Sequence, residues 1–184
     1  MLHTLVKQRA LEIGFDLAGI APISADSGLR FSREWVQRGF AGEMQYLQNP
    51  RRDDPRLVLP SAKSVICVGM IYNADLPYST EVGERTSGHG WISRYAWGTD
   101  YHGILRAKLE QLRNAVEAMA PGAETRVYVD TGPIVERAFA RLSGIGWTGK
   151  NTCLIHYRRS QRILHHCQRS FILLRIGNVR SDLD

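Results

Sequence analysis

Hydrophobic and polar positions follow two periods along this chain. From Leu2 to Ile13 the apolar residues Leu2, Leu5, Val6, Ala10, Leu11 and Ile13 recur at helical spacing, and Gly14 ends the pattern. Asp16–Pro22 has the short apolar run of a buried strand, and Ser64–Tyr72 reads as a central strand. Between them, Ser32 is placed to cap a helix that reaches Arg38 and stops at Gly39. Gly42–Leu47 reads as a further helical turn and Arg51–Pro55 as a polar turn. Tyr101–Met119 is the best-defined helix: Leu105, Leu109, Leu112, Val116 and Met119 share one face, Asp100 stands at its start and Pro121-Gly122 close it. Thr125–Asp130 is a strand, Pro133 suits the first turn of a helix to about Ser143, Gly144–Gly149 is a glycine-rich turn, and Cys153–Ile155 begins another strand. Alternating strands and helices predict an α/β domain of the α+β sandwich kind, with a mixed central sheet flanked by helices.

Composition narrows this only a little. The 184 residues suffice for one domain, and 43% hydrophobic content is ordinary for a globular protein. The longest apolar run, Val65–Tyr72, is too short to span a membrane, and the N-terminus carries no secretory pattern, so a cytoplasmic monomer is expected. Cys67, Cys153 and Cys167 are odd in number and widely spaced, which fits reduced thiols and neither a disulfide framework nor a Cys-x-x-Cys metal site. Net charge is +6, but from His156 onward six arginines face two aspartates, so +4 of it lies in that tail. A nucleic-acid inference from charge would rest mostly on those last residues. Asn73–Gly90 is a long polar stretch of the kind that is functional or mobile.

Four segments hold residues that could carry chemistry. Asp130 ends a predicted strand, where α/β sheets bind ligands; it would serve as a general acid or cap the helix that follows. Arg94, Asp100, Tyr101 and His102 surround Trp91 and Trp97, a set that suits a flat aromatic cofactor or, residue by residue, a helix cap, core packing and a solvated ion pair. Gly144-Ile145-Gly146-Trp147-Thr148-Gly149-Lys150 lacks P-loop spacing and follows a helix, so it is no dinucleotide fingerprint. Its backbone could approach a phosphate or amide group closely, or it is a plain turn. Arg51-Arg52-Asp53-Asp54-Pro55 would set a guanidinium on an anion or belong to the solvated surface.

Taken together, Ser93-Arg94-Tyr95-Ala96-Trp97-Gly98-Thr99-Asp100-Tyr101-His102, Val129-Asp130-Thr131-Gly132-Pro133 and Gly146-Trp147-Thr148-Gly149-Lys150-Asn151 resemble the N-terminal cobalamin-binding domain of the epoxyqueuosine reductase family. Gly14-Phe15-Asp16, Gly42-Glu43-Met44, Asp54-Pro55-Arg56-Leu57 and Leu59-Pro60 support the resemblance, which runs from Leu5 to about Ile155. It implies a fold related to reductive dehalogenases and flavin nitroreductases. It also implies reduction of epoxyqueuosine to queuosine at the tRNA wobble position, with cobalamin as reactive cofactor, 4Fe-4S clusters as electron donors and the tRNA anticodon loop as partner. Asp130 matches the family's proton donor and also lines the cofactor. Arg52, Ser93 and the segment Lys150, Asn151, Leu154 and Ile155 match cobalamin-lining positions, and Arg94, Asp100 and His102 extend that set.

Two departures qualify the resemblance. Two four-iron clusters need about eight ligands, and three cysteines do not supply them. After Leu154-Ile155 the sequence turns to His156-Tyr157-Arg158-Arg159-Ser160-Gln161-Arg162, unlike the family. The expected division is therefore a cobalamin-binding domain over 1–155, incomplete at its end, and an aberrant basic tail over 156–184. Codon degeneracy over Ser160–Cys167 permits a frameshift near His156. The competing reading is a genuine basic segment for tRNA phosphates, with Ser170–Ile176 as a short strand or helix. A strand lost after Ile155 would leave a sheet edge or apolar face uncovered. The chain thus reads as a truncated reductase inactive by itself, the alternatives being a stand-alone cobalamin-binding module or a flavin-dependent reductase of similar fold.

Overall fold

The structure is a computed structural model that describes residues 2–23, 27–52, 54–71, 90–130, 132–150, 152–156 and 167–175. Helix α1 (Leu2–Glu12) leads into strand β1 (Leu17–Pro22), then α2 (Ser27–Gln37) and β2 (Ser64–Ile71). Helix α3 (Tyr101–Met119) is followed by β3 (Glu124–Val129), α4 (Glu136–Leu142), the two-residue strands β4 (Trp147–Thr148) and β5 (Leu154–Ile155), and β6 (Cys167–Arg175). Most of the predicted stretch Asn73–Gly90 lies outside the described residues.

The main sheet has the order β1-β2-β6-β3, and β4 pairs with β5 in a separate hairpin. Strand β2 is buried on both faces because its side chains alternate between two cores. Val65 and Cys67 join Leu17, Ala21, Ile134, Phe139 and Leu154 on the α4 side. Ile66 and Val68 join Val6, Ala10, Leu105, Leu109, Leu112 and Val116 on the side of α1 and α3. Helices thus cover both faces, as the α/β alternation predicts. The Lys108 ammonium ties the α1 end to α3 by donating to the Ile13 carbonyl at 2.6 Å.

Four details differ from the sequence reading. Every described ladder is antiparallel where a mixed sheet is predicted. Strands β2 and β3 do run in the same direction, as a helical crossover requires, but β6 lies between them and opposes both. Strand β6 also bears on the division expected at Ile155. Ser64–Ile71 pairs with Leu174–Cys167 and Glu124–Val129 with Arg175–Ser170, so backbone from the tail fills the slot expected to be uncovered. Helix α2 begins at Ser27, so Ser32 lies inside it rather than capping it. Helix α4 begins at Glu136, three residues past Pro133, because Ile134 first turns back to donate its N–H to the Gly132 carbonyl. Among the described residues no helix is long and apolar enough to cross a membrane.

Candidate functional site at the strand ends

Helix α3 and strand β3 form an antiparallel pair joined at Pro121-Gly122. Thr125 donates to the Glu117 carboxylate near the joined end, and the first turn of α3 therefore meets the far end of β3. There Asp100 caps α3: its Oδ1 accepts the His102 N–H at 3.0 Å and lies 2.7 Å from His102 Nδ1. Tyr101 donates its hydroxyl to Asp130 Oδ2, and His102 Nε2 lies 3.9 Å from the same oxygen. The Tyr101 and His102 rings stack with centroids 4.1 Å apart, and Tyr95 meets Tyr101 edge-on. Asp130 leaves the strand with φ +51°, a left-handed backbone that aspartate tolerates better than most side chains. It is not the N-cap of α4, a place held by Val135, so the capping alternative for Asp130 does not hold.

Electrostatics separates the partners. The His102 backbone N–H, followed by its ring, holds the Asp100 carboxyl below the usual carboxylate range. Burial, reinforced by the hydrogen bond to Asp130, pushes the Tyr101 hydroxyl well above the usual tyrosine range, so at neutral pH it stays a donor.

An aromatic rim adjoins this group. Ser93 precedes a short 3-10 turn over Arg94–Ala96. Arg94 is buried rather than solvated, at 8% exposure, and its guanidinium stands 5.6 Å from the Trp97 ring centroid. Trp97 donates its indole N–H to the Ile92 carbonyl at 2.9 Å and lies 5.9 Å from Trp91. Trp91, Tyr95 and Trp97 remain exposed.

The glycine-rich segment is the β4–β5 hairpin. A side chain on Gly146 would place its Cβ 2.3 Å from the Ile155 carbonyl oxygen, so only glycine permits this approach. Gly146→Ala should cost about 1–3 kcal/mol, whereas Gly103→Ala, in α3 with open space around its Cβ, should gain about 0.5–1 kcal/mol. Urea unfolding of the two variants checks this, and shifts of the same sign would contradict the contact. In the loop, Gly149 donates to the Cys153 carbonyl and Thr152 to that of Gly149, each at 2.9 Å. Thr152 adopts φ +64°, which costs a β-branched residue about 1–3 kcal/mol. Arg137 on α4 steadies it: Nη1 donates to the Thr152 carbonyl and to its hydroxyl oxygen, each at 2.8 Å.

The predicted site residues thus divide. Asp100, His102 and Asp130 come together, and Ser93 and Arg94 form the adjoining rim. Lys150 is exposed on the hairpin loop, Leu154 is buried in the α4-side core, Ile155 pairs with Trp147, and Asn151 lies outside the described residues. Arg52 lines a groove with Ser32 and Arg33 of α2, its guanidinium 5.8 Å from the Tyr46 ring. Tyr101 was named only as a neighbour of the two indoles, not as a partner of Asp130, and Arg137 was not singled out. Adjacency to the Asp100 cap was a signal for Tyr101. Nothing local marked Arg137, whose partner is 15 residues away.

These features define a class: a layered α/β domain with a strand-end carboxylate, bonded to a tyrosine hydroxyl and neighboured by a histidine, beside an aromatic rim. The family described as epoxyqueuosine reductase QueG, DUF1730, matches residues 52–131. An epoxyqueuosine reductase of Gloeobacter violaceus is 45% identical over 152 residues, covering 82% of this chain and 46% of the relative. The structure of epoxyqueuosine reductase from Streptococcus thermophilus superposes with a TM-score of 0.78 at 28% identity, over 97% of this chain and 47% of that one. A further epoxyqueuosine reductase, crystallised with an epoxyqueuosine-modified tRNA-Tyr stem loop, gives 0.75 at 26% identity over 96% and 46%. The chain is a relative of the epoxyqueuosine reductases in sequence and in fold, and it spans about half the length of the relatives it matches.

Proposed function

We propose that this chain is the cofactor- and substrate-binding portion of an epoxyqueuosine reductase, acting in the cytoplasm on the anticodon loop of tRNA. The observation that carries the reading is the meeting of Tyr101 and His102 on one oxygen of Asp130. Asp130 hands a proton to the oxygen set free when the epoxide opens. The carboxylate so formed accepts the Tyr101 hydroxyl more strongly than the neutral acid did, which favours the charge-separated state. His102, oriented by Asp100 on its other ring nitrogen, keeps Nε2 3.9 Å from that oxygen, and a closer approach on substrate binding would let it return a proton to Asp130. A relative bound to an epoxyqueuosine-modified stem loop supports tRNA as the partner.

Cobalamin is the cofactor we assign. The residues present fit a large group with flat faces and amide arms: Trp91, Tyr95 and Trp97 offer exposed rings, and Lys150 is exposed on the hairpin loop. Arg52, Ser93, Lys150, Asn151 and Ile155 would hold it, and when bound it supplies the reducing chemistry at the epoxide. The 4Fe-4S clusters do not fit this chain, because three cysteines are too few. Electrons must therefore come from outside these 184 residues. The origin of the basic segment by frameshift near His156 stands as a proposal, tested by translating the gene in all three frames.

The experiment is a titration of the purified chain with hydroxocobalamin, followed by turnover of an epoxyqueuosine-bearing stem loop with a strong chemical reductant. A saturable absorbance change and queuosine formation are expected. Flavin binding in place of cobalamin, or cobalamin binding with no turnover under any reductant, would overturn the reading.

A further inference from the structure

Among the described residues, the non-glycine positions with left-handed backbone are Asp130 and Thr152. They lie on either side of α4 in sequence, and α4 reaches the second through Arg137. From these contacts we infer that Arg137 is a positioning residue, whose guanidinium latches Thr152 in the left-handed backbone from which the hairpin loop meets cobalamin. The inference rests on the cofactor reading above and adds a residue from outside the pocket lining.

The loop needs such a latch. Its flanking strands β4 and β5 are two residues each, and a two-stranded hairpin that short is not stable by itself. The bonds from Gly149 to Cys153 and from Thr152 to Gly149 close the loop. Neither restrains the Thr152 side chain, and a β-branched residue left to itself relaxes away from positive φ. Arg137 acts on both parts of Thr152, since the same Nη1 is bonded to its carbonyl and its hydroxyl. Two residues on, Leu154 is buried in the core that also holds Ala138 and Phe139 of α4, so loop and helix share one anchorage. A loop ordered before the ligand arrives spares the binding step that ordering, and its loss appears as weaker binding.

The test uses the full chain with Arg137→Gln, and with Arg137→Gln combined with Thr152→Gly. Hydroxocobalamin affinity is read by absorbance, and backbone amide exchange is read on the ligand-free protein. Arg137→Gln should weaken binding about tenfold and speed exchange of the Gly149 and Thr152 amides before any ligand is added. Adding Thr152→Gly should restore most of the affinity, because glycine takes the left-handed backbone without steric cost. A purely structural role for Arg137 would not be rescued in this way. Wild-type affinity in Arg137→Gln, unchanged exchange in the loop, or no rescue by Thr152→Gly each overturns the inference. If the unaltered protein fails to bind hydroxocobalamin, the cofactor reading falls and this role with it, an outcome seen before any substitution is made.

Discussion

Asp130→Asn should lower turnover of an epoxyqueuosine-bearing stem loop by about 10²–10⁴-fold while hydroxocobalamin affinity stays within a few-fold of the parent. The substitution is a clean one for this position. Asparagine tolerates positive φ as well as aspartate does, so the turn after Val129 keeps its backbone. Its carbonyl oxygen still accepts the Tyr101 hydroxyl, and its volume is nearly the same. What disappears is the proton that a carboxylic acid can give. Single-turnover assays with a strong reductant separate that loss from any fault in electron supply. If Asp130→Asn turns over like the parent, the proton comes from elsewhere. If it loses turnover and cofactor together, Asp130 holds the pocket rather than serving as its acid.

Phe139→Ala should destabilise the fold by about 3–5 kcal/mol, a large share of the roughly 5–15 kcal/mol that holds a domain of this kind together. Phe139 has 0% exposure, and its core joins three parts of the molecule: Leu17 and Ala21 of β1, Val65 and Cys67 of β2, and Leu154 of the hairpin. Removing the ring leaves a cavity where the hairpin is anchored, so the loss of stability should come with faster amide exchange in the 149–153 loop. Equilibrium urea unfolding measures the first effect and exchange the second. A change under about 1 kcal/mol would mean that the layer under α4 is loosely packed or collapses freely into the space.

Local patterns in the sequence located the elements that own their hydrogen bonds and carry one strong face. The span Tyr101–Met119 was legible with the bounds the structure has, because a capping aspartate, a five-residue apolar face and a Pro-Gly terminator all agreed. Strand β2 was legible from its unbroken apolar run, which only a strand covered on both sides needs. The antiparallel sense of the sheet was not, since it depends on β6 entering between β2 and β3, a pairing made by chain far away in sequence. The same holds at the site. Asp100, His102 and Asp130 stood out because each sits where an element starts or ends. The latch from Arg137 to Thr152 did not, because an arginine on a helix looks alike whether it faces water or a carbonyl.

The place of β6 has a consequence for how the molecule is made. Ser64 of β2 pairs with Leu174, and Thr125 of β3 pairs with the same Leu174. As the chain leaves the ribosome, β1 and β2 can zip together early. β2 and β3 cannot join each other, because the strand that bridges them is synthesised last among those described. Until it emerges, β2, buried on both faces in the finished fold, and β3 wait with open edges, the state most exposed to mispairing and slowest to resolve. The nascent chain therefore passes through a period in which its two helical layers can form while its sheet is still in two pieces.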